Sequence, residues 1–246
     1  MSRRRDLFDA LRAFAPQRQI PAADVGVIDG LADRWGIARD GVAAPAPAPP
    51  PAVGGNVAAL LTERVALELI GHEAIVREAY KDSEGVWTWG IGVTSKSGHS
   101  VERYRDNPQT IQRCLEIYIW LCRTKYGPEV LAAFRGHALT EAQFAAALSF
   151  HYNTGAIARA DWVDSWKAGH VQRARAEFMN WRSPPSIIER REKERDLFFD
   201  GRWSQDGRST VYEVVNKPSY SPRWSSVRKV DIRGDLKAAL AAGGAS

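Results

Sequence analysis

The stretch from Gly41 to Gly55 reads GVAAPAPAPPPAVGG. Proline locks φ and removes a backbone donor, so alternating Ala and Pro followed by Pro49-Pro50-Pro51 forbids helix and favours extended polyproline geometry. Gly54-Gly55 adds a flexible end. Residues 41–56 are thus a semi-rigid spacer, and no single continuous core can run through them. They set a short N-terminal piece, residues 1–40, apart from a main body.

The N-terminal piece carries two helical patterns. Leu7, Phe8, Leu11 and Phe14 share a face until Pro16, and Val25, Ile28, Leu31 and Trp35 repeat the spacing up to Gly36. A two-helix hairpin of this size has little core of its own, so it is expected to pack on the body or on a partner.

The main body is predicted over residues 57–203. Val57, Leu61, Val65 and Leu69 form an i, i+4 stripe ending near Gly71. Between Ala79 and Ser100 the character changes: Tyr80, Val86, Trp87, Trp89, Ile91 and Val93 favour strands, broken by turn residues at Asp82-Ser83-Glu84-Gly85. From Asn107 to Phe199 the pattern is mostly helical, with capping-box spacing at Thr140 and Gln143. The fold class is therefore α+β, mostly helical with a small antiparallel sheet near the start of the body. Residues 204–246 form an extension without an assigned role, with strand candidates at Thr210–Val215 and Val227–Ile232 and a terminal helix from Asp235 to Ala242.

Composition narrows the function classes. Hydrophobic residues make up 44% of the 246, which rules out a disordered chain. No apolar run reaches the roughly 18 residues of a membrane span. The opening MSRRRDLFDALRAF has no apolar h-region, so no secretory signal is expected. A net charge of +5 favours an acidic polymer as partner: nucleic acid, anionic lipid or bacterial wall. No zinc knuckle, helix-turn-helix spacing or ribonucleoprotein motif supports nucleic acid. The five histidines lack metal-ligand spacing and no phosphate loop is present, so neither metal nor cofactor is expected. Cys114 and Cys122, if on one helix, lie about 12 Å apart along its axis and are expected as buried free thiols.

Chemistry concentrates between Glu73 and Gly92. Glu73 follows the end of the first body helix, Asp82 lies in the turn entering the sheet, and Thr88 lies on the next strand. A helix end, a hairpin turn and a strand can converge on one cleft. Two carboxylates flanking a glycosidic bond are the minimum for its hydrolysis, one protonated to release the leaving oxygen and the other ionised to direct water or attack. A cap and a hairpin carrying ordinary surface charges would show the same isolated pair. His72 suits a helix C-terminus, where a positive charge meets the dipole.

Glu73, eight residues, Asp82, five residues and Thr88 together resemble the catalytic signature of phage-type lysozymes, glycoside hydrolase family 24. Tyr80-Lys81, Glu84-Gly85 and Gly90-Ile91-Gly92 around it are similar to that family, as are Ala138 to Gln143, Ala147 to Gly155 and Arg190 to Phe198. The resemblance covers about Val57 to Trp203. It implies a lysozyme-like fold and an endolysin with muramidase activity, cleaving the β-1,4 bond between N-acetylmuramic acid and N-acetylglucosamine of peptidoglycan for host lysis. Glu73 would be the general acid. Asp82 and Thr88 would hold the attacking water, giving inversion. Arg190 matches a family arginine that pairs with the acid, though Arg191 is an equally basic neighbour. Asn153 would line the saccharide groove through its amide or else cap a helix end before Gly155. Trp87 and Trp89 would stack on sugar rings or serve as core. Val93 stands where the family often has His.

Two other readings stay open: a lytic transglycosylase on the same bond, and a non-catalytic wall-binding or virion structural protein. Intact Asp82 and Thr88, which serve a water, weigh against both. With no secretory signal expected, the protein is expected to accumulate in the host cytoplasm as a monomer, and the resemblance implies that it reaches the wall with a holin. Residues 1–40 are read either as a wall-targeting module, with Arg3, Arg4 and Arg5 facing an anionic surface, or as a packing accessory.

Overall fold

The computed structural model describes residues 56–82 and 84–243, together with Leu11 and Ile28, both helical. The rest of the expected N-terminal hairpin and the spacer up to Gly55 lie outside the described residues.

The body opens with two helices in place of the single expected one. Helix α1 (Val57–Leu60) stops at Leu61, and α2 (Glu63–His72) restarts with Thr62 as its N-cap, the Thr62 hydroxyl accepting from the Val65 N–H. The i, i+4 stripe survives the break because Leu61, Val65 and Leu69 all enter the core. Strand β1 (Ile75–Lys81) follows two residues after α2, then β2 (Trp87–Gly90) and the short β3 (Val93–Thr94). Tyr80 pairs with Thr88 and Lys81 with Trp87 in the antiparallel β1–β2 ladder, and the register shifts between Val76 and Tyr80.

Helix α3 (Ile111–Leu121) runs through a π-turn (Cys122–Tyr126) into α4 (Gly127–Ala133). Both cysteines are buried and free, as expected, and burial pushes each thiol up to about 12. Helix α5 (Glu141–Thr154) begins with the expected capping box, Thr140 and Gln143 satisfying each other's backbone, and ends on Gly155 in the left-handed region. Its apolar residues lie all round it, which suits a helix enclosed by others. Around it pack α6 (Asp161–Lys167), α7 (Val171–Phe178) and α8 (Ile188–Asp200). Phe150, Trp162, Phe178 and Phe198 fill the space between them, with ring centroids 4.6 to 5.4 Å apart for the Trp162–Phe178, Trp162–Phe198 and Phe150–Trp162 pairs.

The sheet departs from expectation. It is mixed and five-stranded, in the order β3-β2-β1-β4-β5. Strand β4 (Arg208–Tyr212) lies parallel to β1, with Ile75 opposite Val211, and β5 (Val227–Asp231) returns antiparallel to β4. Helix α9 (Arg233–Ala241) then packs on α3 and α2. The two strands of the extension thus widen the small sheet from three strands to five. Their entry point is fixed by Glu68, whose buried carboxylate accepts from the Ser204 N–H at 3.0 Å, the Ser204 hydroxyl at 2.6 Å and the Gln205 N–H at 3.2 Å. Gly71 leaves the room this needs, since a Cβ there would overlap the Gln205 side chain.

Candidate active site

Glu73 is the C-cap of α2; its own N–H closes the helix on the Ile70 carbonyl. Its side chain is then free to point away from the helix. One carboxylate oxygen, Oε1, lies 2.5 Å from Arg190 Nη1. The other, Oε2, lies against Gly92, where a Cβ would sit 3.2 Å away. Gly92 has φ +64°, a conformation that favours glycine, so this position serves both the turn and the carboxylate. Tyr152 closes the same corner: its hydroxyl donates to the Ile91 carbonyl at 2.5 Å, and its ring would contact a Gly92 Cβ.

Arg190 is a nearly buried hub. Its Nε donates to Glu194 Oε1 at 2.9 Å, and its Nη2 to the Ser149 carbonyl and hydroxyl at 3.2 and 3.3 Å. Burial alone would favour its neutral form, but Glu73 and Glu194 together outweigh this and raise its pKa, so it stays charged. Arg191, fully buried, takes the other Glu194 oxygen and donates to the Asn153 side-chain oxygen at 2.7 Å and the Trp181 carbonyl at 2.9 Å. The two neighbouring arginines therefore divide the work: Arg190 holds Glu73, and Arg191 holds Asn153.

Asp82 sits at the mouth of the β1–β2 turn. Its Oδ1 accepts from the backbone N–H groups of Glu84 and Val86 at 3.0 and 2.9 Å, an Asx-type turn that fixes the carboxylate plane. The Thr88 hydroxyl, nearly buried on β2, lies 3.2 Å from Asp82 Oδ2 and 3.2 Å from the Val86 carbonyl, so one proton serves two acceptors.

Tyr80 links the two carboxylates. Burial raises its phenol pKa well above the usual value, and the charges of Glu73 and Asp82 raise it further. Tyr80 pairs with Thr88 across the ladder, so both side chains stand on one face of the sheet. Asp82 and Thr88 are thus joined directly beside Tyr80, and Glu73 acts on the same phenol through its charge.

The remaining expected residues fall out as follows. Trp89 is core: it is fully buried, stacked on Tyr104 at 3.8 Å, and its indole N–H donates to the Arg77 carbonyl. Trp87 alternates with Thr88, so it stands on the opposite face of β2. There it meets Tyr220 edge-on at 5.0 Å, with Lys81 and Arg105 each 5.5 Å from its ring. Its ring contacts are thus with Tyr220 of the extension and with two cations of the body, and the expected sugar platform gains no support from them. Asn153 is exposed and lines a hollow of about 360 Å³ with Asn180, Trp181 and Pro184. Its oxygen is committed to Arg191, its amide nitrogen meets no hydrogen-bond partner among the described residues, and the helix end is closed by Gly155. His72 is the last residue of α2, 3.7 Å from Glu68. Sequence reasoning missed Gly92 and Tyr152 as walls of the Glu73 corner, and missed Glu194 and Ser149 behind Arg190. Gly92 was within reach, because a glycine flanking strand residues signals a close approach.

Among the described residues no helix is long and apolar enough to cross a membrane, and no group of three or more metal-ligating side chains is found.

The family model for phage lysozyme matches residues 71–194, just over half the chain. No curated protein sequence matches. Among solved structures, the endolysin from Escherichia coli O157:H7 phage FAHEc1 is similar over 59% of this chain and 96% of its own, at 20% identity and a TM-score of 0.50, which is a likeness of fold. A lysozyme of phage P22 is 25% identical over 56% of this chain and 96% of its own, with a TM-score of 0.45. The muramidase domain of SpmX from Asticcacaulis excentricus is 25% identical over 55% and 95%, with a TM-score of 0.41. The matched segment begins just before Glu73 and ends on Glu194, so it holds the trio, Asn153 and the arginines: the chain belongs to the phage lysozyme family and is a glycoside hydrolase.

Proposed function

We propose that this lysozyme hydrolyses the β-1,4 bond between N-acetylmuramic acid and N-acetylglucosamine of peptidoglycan with inversion. The reading is supported by Glu73, set in a corner of Arg190, Gly92 and Tyr152, and by the hydrogen-bonded Asp82–Thr88 couple. Glu73 in its protonated form gives its proton to the glycosidic oxygen as the C–O bond breaks. A water held beside the Asp82–Thr88 couple, within reach of Asp82 Oδ2 and of the Thr88 oxygen, attacks the anomeric carbon from the other side, and Asp82 accepts its proton. Arg190 returns Glu73 to its place after the transfer, its charge shared with Glu194. Asn153 offers its amide N–H groups to the substrate's acetamido or hydroxyl oxygens, with Arg191 fixing which end of the amide faces outward. Arg190 acts through Glu73, to which it donates.

The enzyme acts as an endolysin, held in the host cytoplasm as a monomer until a holin opens the way to the wall, and no nucleic acid takes part. Residues 1–40 serve as a wall-targeting module on the 41–56 spacer.

Digestion of purified peptidoglycan tests the chemistry. Reducing N-acetylmuramic ends, with the α-anomer released first in proton NMR, are the expected products. Anhydro-muramic ends would establish a transglycosylase instead, and a β-anomer released first would establish retention.

A further inference from the structure

The segment from Glu73 to Asp82 carries both carboxylates, and it is gripped at both ends and along its middle by residues 204–231, which lie beyond the matched lysozyme segment. At the Glu73 end, Ser204 and Gln205 bind Glu68 one turn back on α2, and Gln205 packs onto Gly71, two residues before the acid. In the middle, Val211 and Tyr212 pair with Ile75 and Val76. At the Asp82 end, the Lys81 N–H donates to the Tyr220 carbonyl at 2.9 Å, immediately before the catalytic aspartate. The Tyr220 ring packs edge-on against Trp87, which is paired with Lys81 and adjacent to Thr88. Lys217 bridges the buried carboxylate of Glu78 and Asp106, and its ammonium lies 4.4 Å from the Tyr220 ring. Tyr220 itself holds φ +56°, a left-handed backbone that a non-glycine residue adopts only where its surroundings enforce it.

We infer that the C-terminal extension is a brace that sets the position of Asp82 and Thr88 relative to Glu73, with Lys217 and Tyr220 as positioning residues. This rests on the reading of Glu73 and Asp82 given above. The extension has no contact with the reacting atoms. It works by fixing the two ends of the strand between them, where a displacement of about 1 Å can cost 10²-fold in rate. The fold leaves few other means to hold the turn. The β1–β2 pairing ends at Lys81 and Trp87; beyond it Asp82 is held by the hydrogen bonds of its turn, including its N–H to the Val86 carbonyl, and by the Thr88 hydroxyl, while β3 pairs with the far side of β2. Trp87 thereby gains a function other than sugar stacking: it is the surface against which the brace leans.

The test uses the full chain and soluble, uncrosslinked peptidoglycan strands, at a temperature well below unfolding. Lys217→Met removes the bridge to Glu78 and Asp106. Tyr220→Gly removes the ring and keeps the left-handed backbone accessible. Each is expected to lower kcat about tenfold with KM held within about twofold, while Lys217→Arg and Tyr220→Phe restore most of kcat. A purely structural role would lower Tm and leave kcat alone. If kcat in both Lys217→Met and Tyr220→Gly stays within about twofold of the parent, whatever happens to Tm, the brace is refuted. Glu73→Gln measured beside them separates the two claims. Retained activity there refutes the acid, whereas an inactive Glu73→Gln with parent-like kcat in both brace variants refutes the brace alone.

Discussion

Arg190 Nη1 meets Glu73 Oε1 at 2.5 Å, an ion pair between side chains 117 positions apart that ties α8 of the helical lobe to the start of the sheet. Neither partner is more than about a fifth exposed: Arg190 is 11% and Glu73 21% accessible. The pair is part of a network in which Glu194, fully buried, accepts from both arginines and from Ser149.

Removing Arg190 leaves Glu73 without its cation and Ser149 with one donor fewer. Arg190→Met is expected to cost about 3 kcal/mol of stability, the typical loss when one member of a buried ion pair is deleted. Urea unfolding measures it. A midpoint equal to that of the parent would show that the network does not tie the lobes.

Gly92 faces the other carboxylate oxygen. Gly92→Ala places a Cβ at 3.2 Å from Glu73 Oε2 and forces a φ of +64° on a chiral residue. The backbone cost alone is roughly 1–2 kcal/mol, and the acid must move to relieve the contact. Both stability and wall-lysing activity are expected to fall. Thermal unfolding together with a turbidity assay on permeabilised Gram-negative cells reads the two effects, and an alanine variant with parental activity would remove Gly92 from the site.

Thr88 offers its one hydroxyl proton to Asp82 and to the Val86 carbonyl. Thr88→Val keeps the shape and deletes the hydroxyl, and is expected to lower kcat about 10²-fold with the fold intact. Thr88→Ser keeps the donor and should retain most of the activity. Equal rates for the two variants would take the hydroxyl out of the mechanism.

The trio was picked out by its resemblance to a family signature; of its members, Asp82 and Thr88 meet because turn and strand follow one another within a short segment. The arginines were not separable. Arg190 to Arg195 reads as a charged surface helix, yet Arg191 and Glu194 are fully buried, because a complete set of hydrogen bonds offsets their desolvation. The extension shows the same limit. Strand candidates near Thr210 and Val227 were visible from β-branched residues, but nothing in their pattern says that β4 lies parallel to β1 across more than 130 residues of chain. That pairing turned an expected antiparallel sheet into a mixed one. Leu61 and Thr62 illustrate the reverse: the apolar stripe was right and the continuity of the helix was wrong, because Thr62 caps a new start.

Glu68 gives a pH test. Burial alone would raise its pKa, but the donors from Ser204 together with nearby His72 outweigh burial and hold it below the ordinary carboxylate range. Stability from this group is therefore fully present above its unfolded value of about 4.3 and is lost as pH falls through the lower folded value. Glu68→Gln is expected to be less stable than the parent at pH 7, with the gap narrowing on acidification below about pH 4. Tm against pH for the two proteins measures it, and parallel curves would contradict the assignment.

The most direct measurement of the central claim is the rate at which Glu73→Gln releases reducing ends from purified peptidoglycan. Glutamine keeps the shape of the side chain and its place beside Arg190 but has no proton to give the leaving oxygen. A loss of about 10³-fold with unchanged circular dichroism is the predicted result. Release at the parental rate would contradict the account, because the proton donor would then have to be another residue.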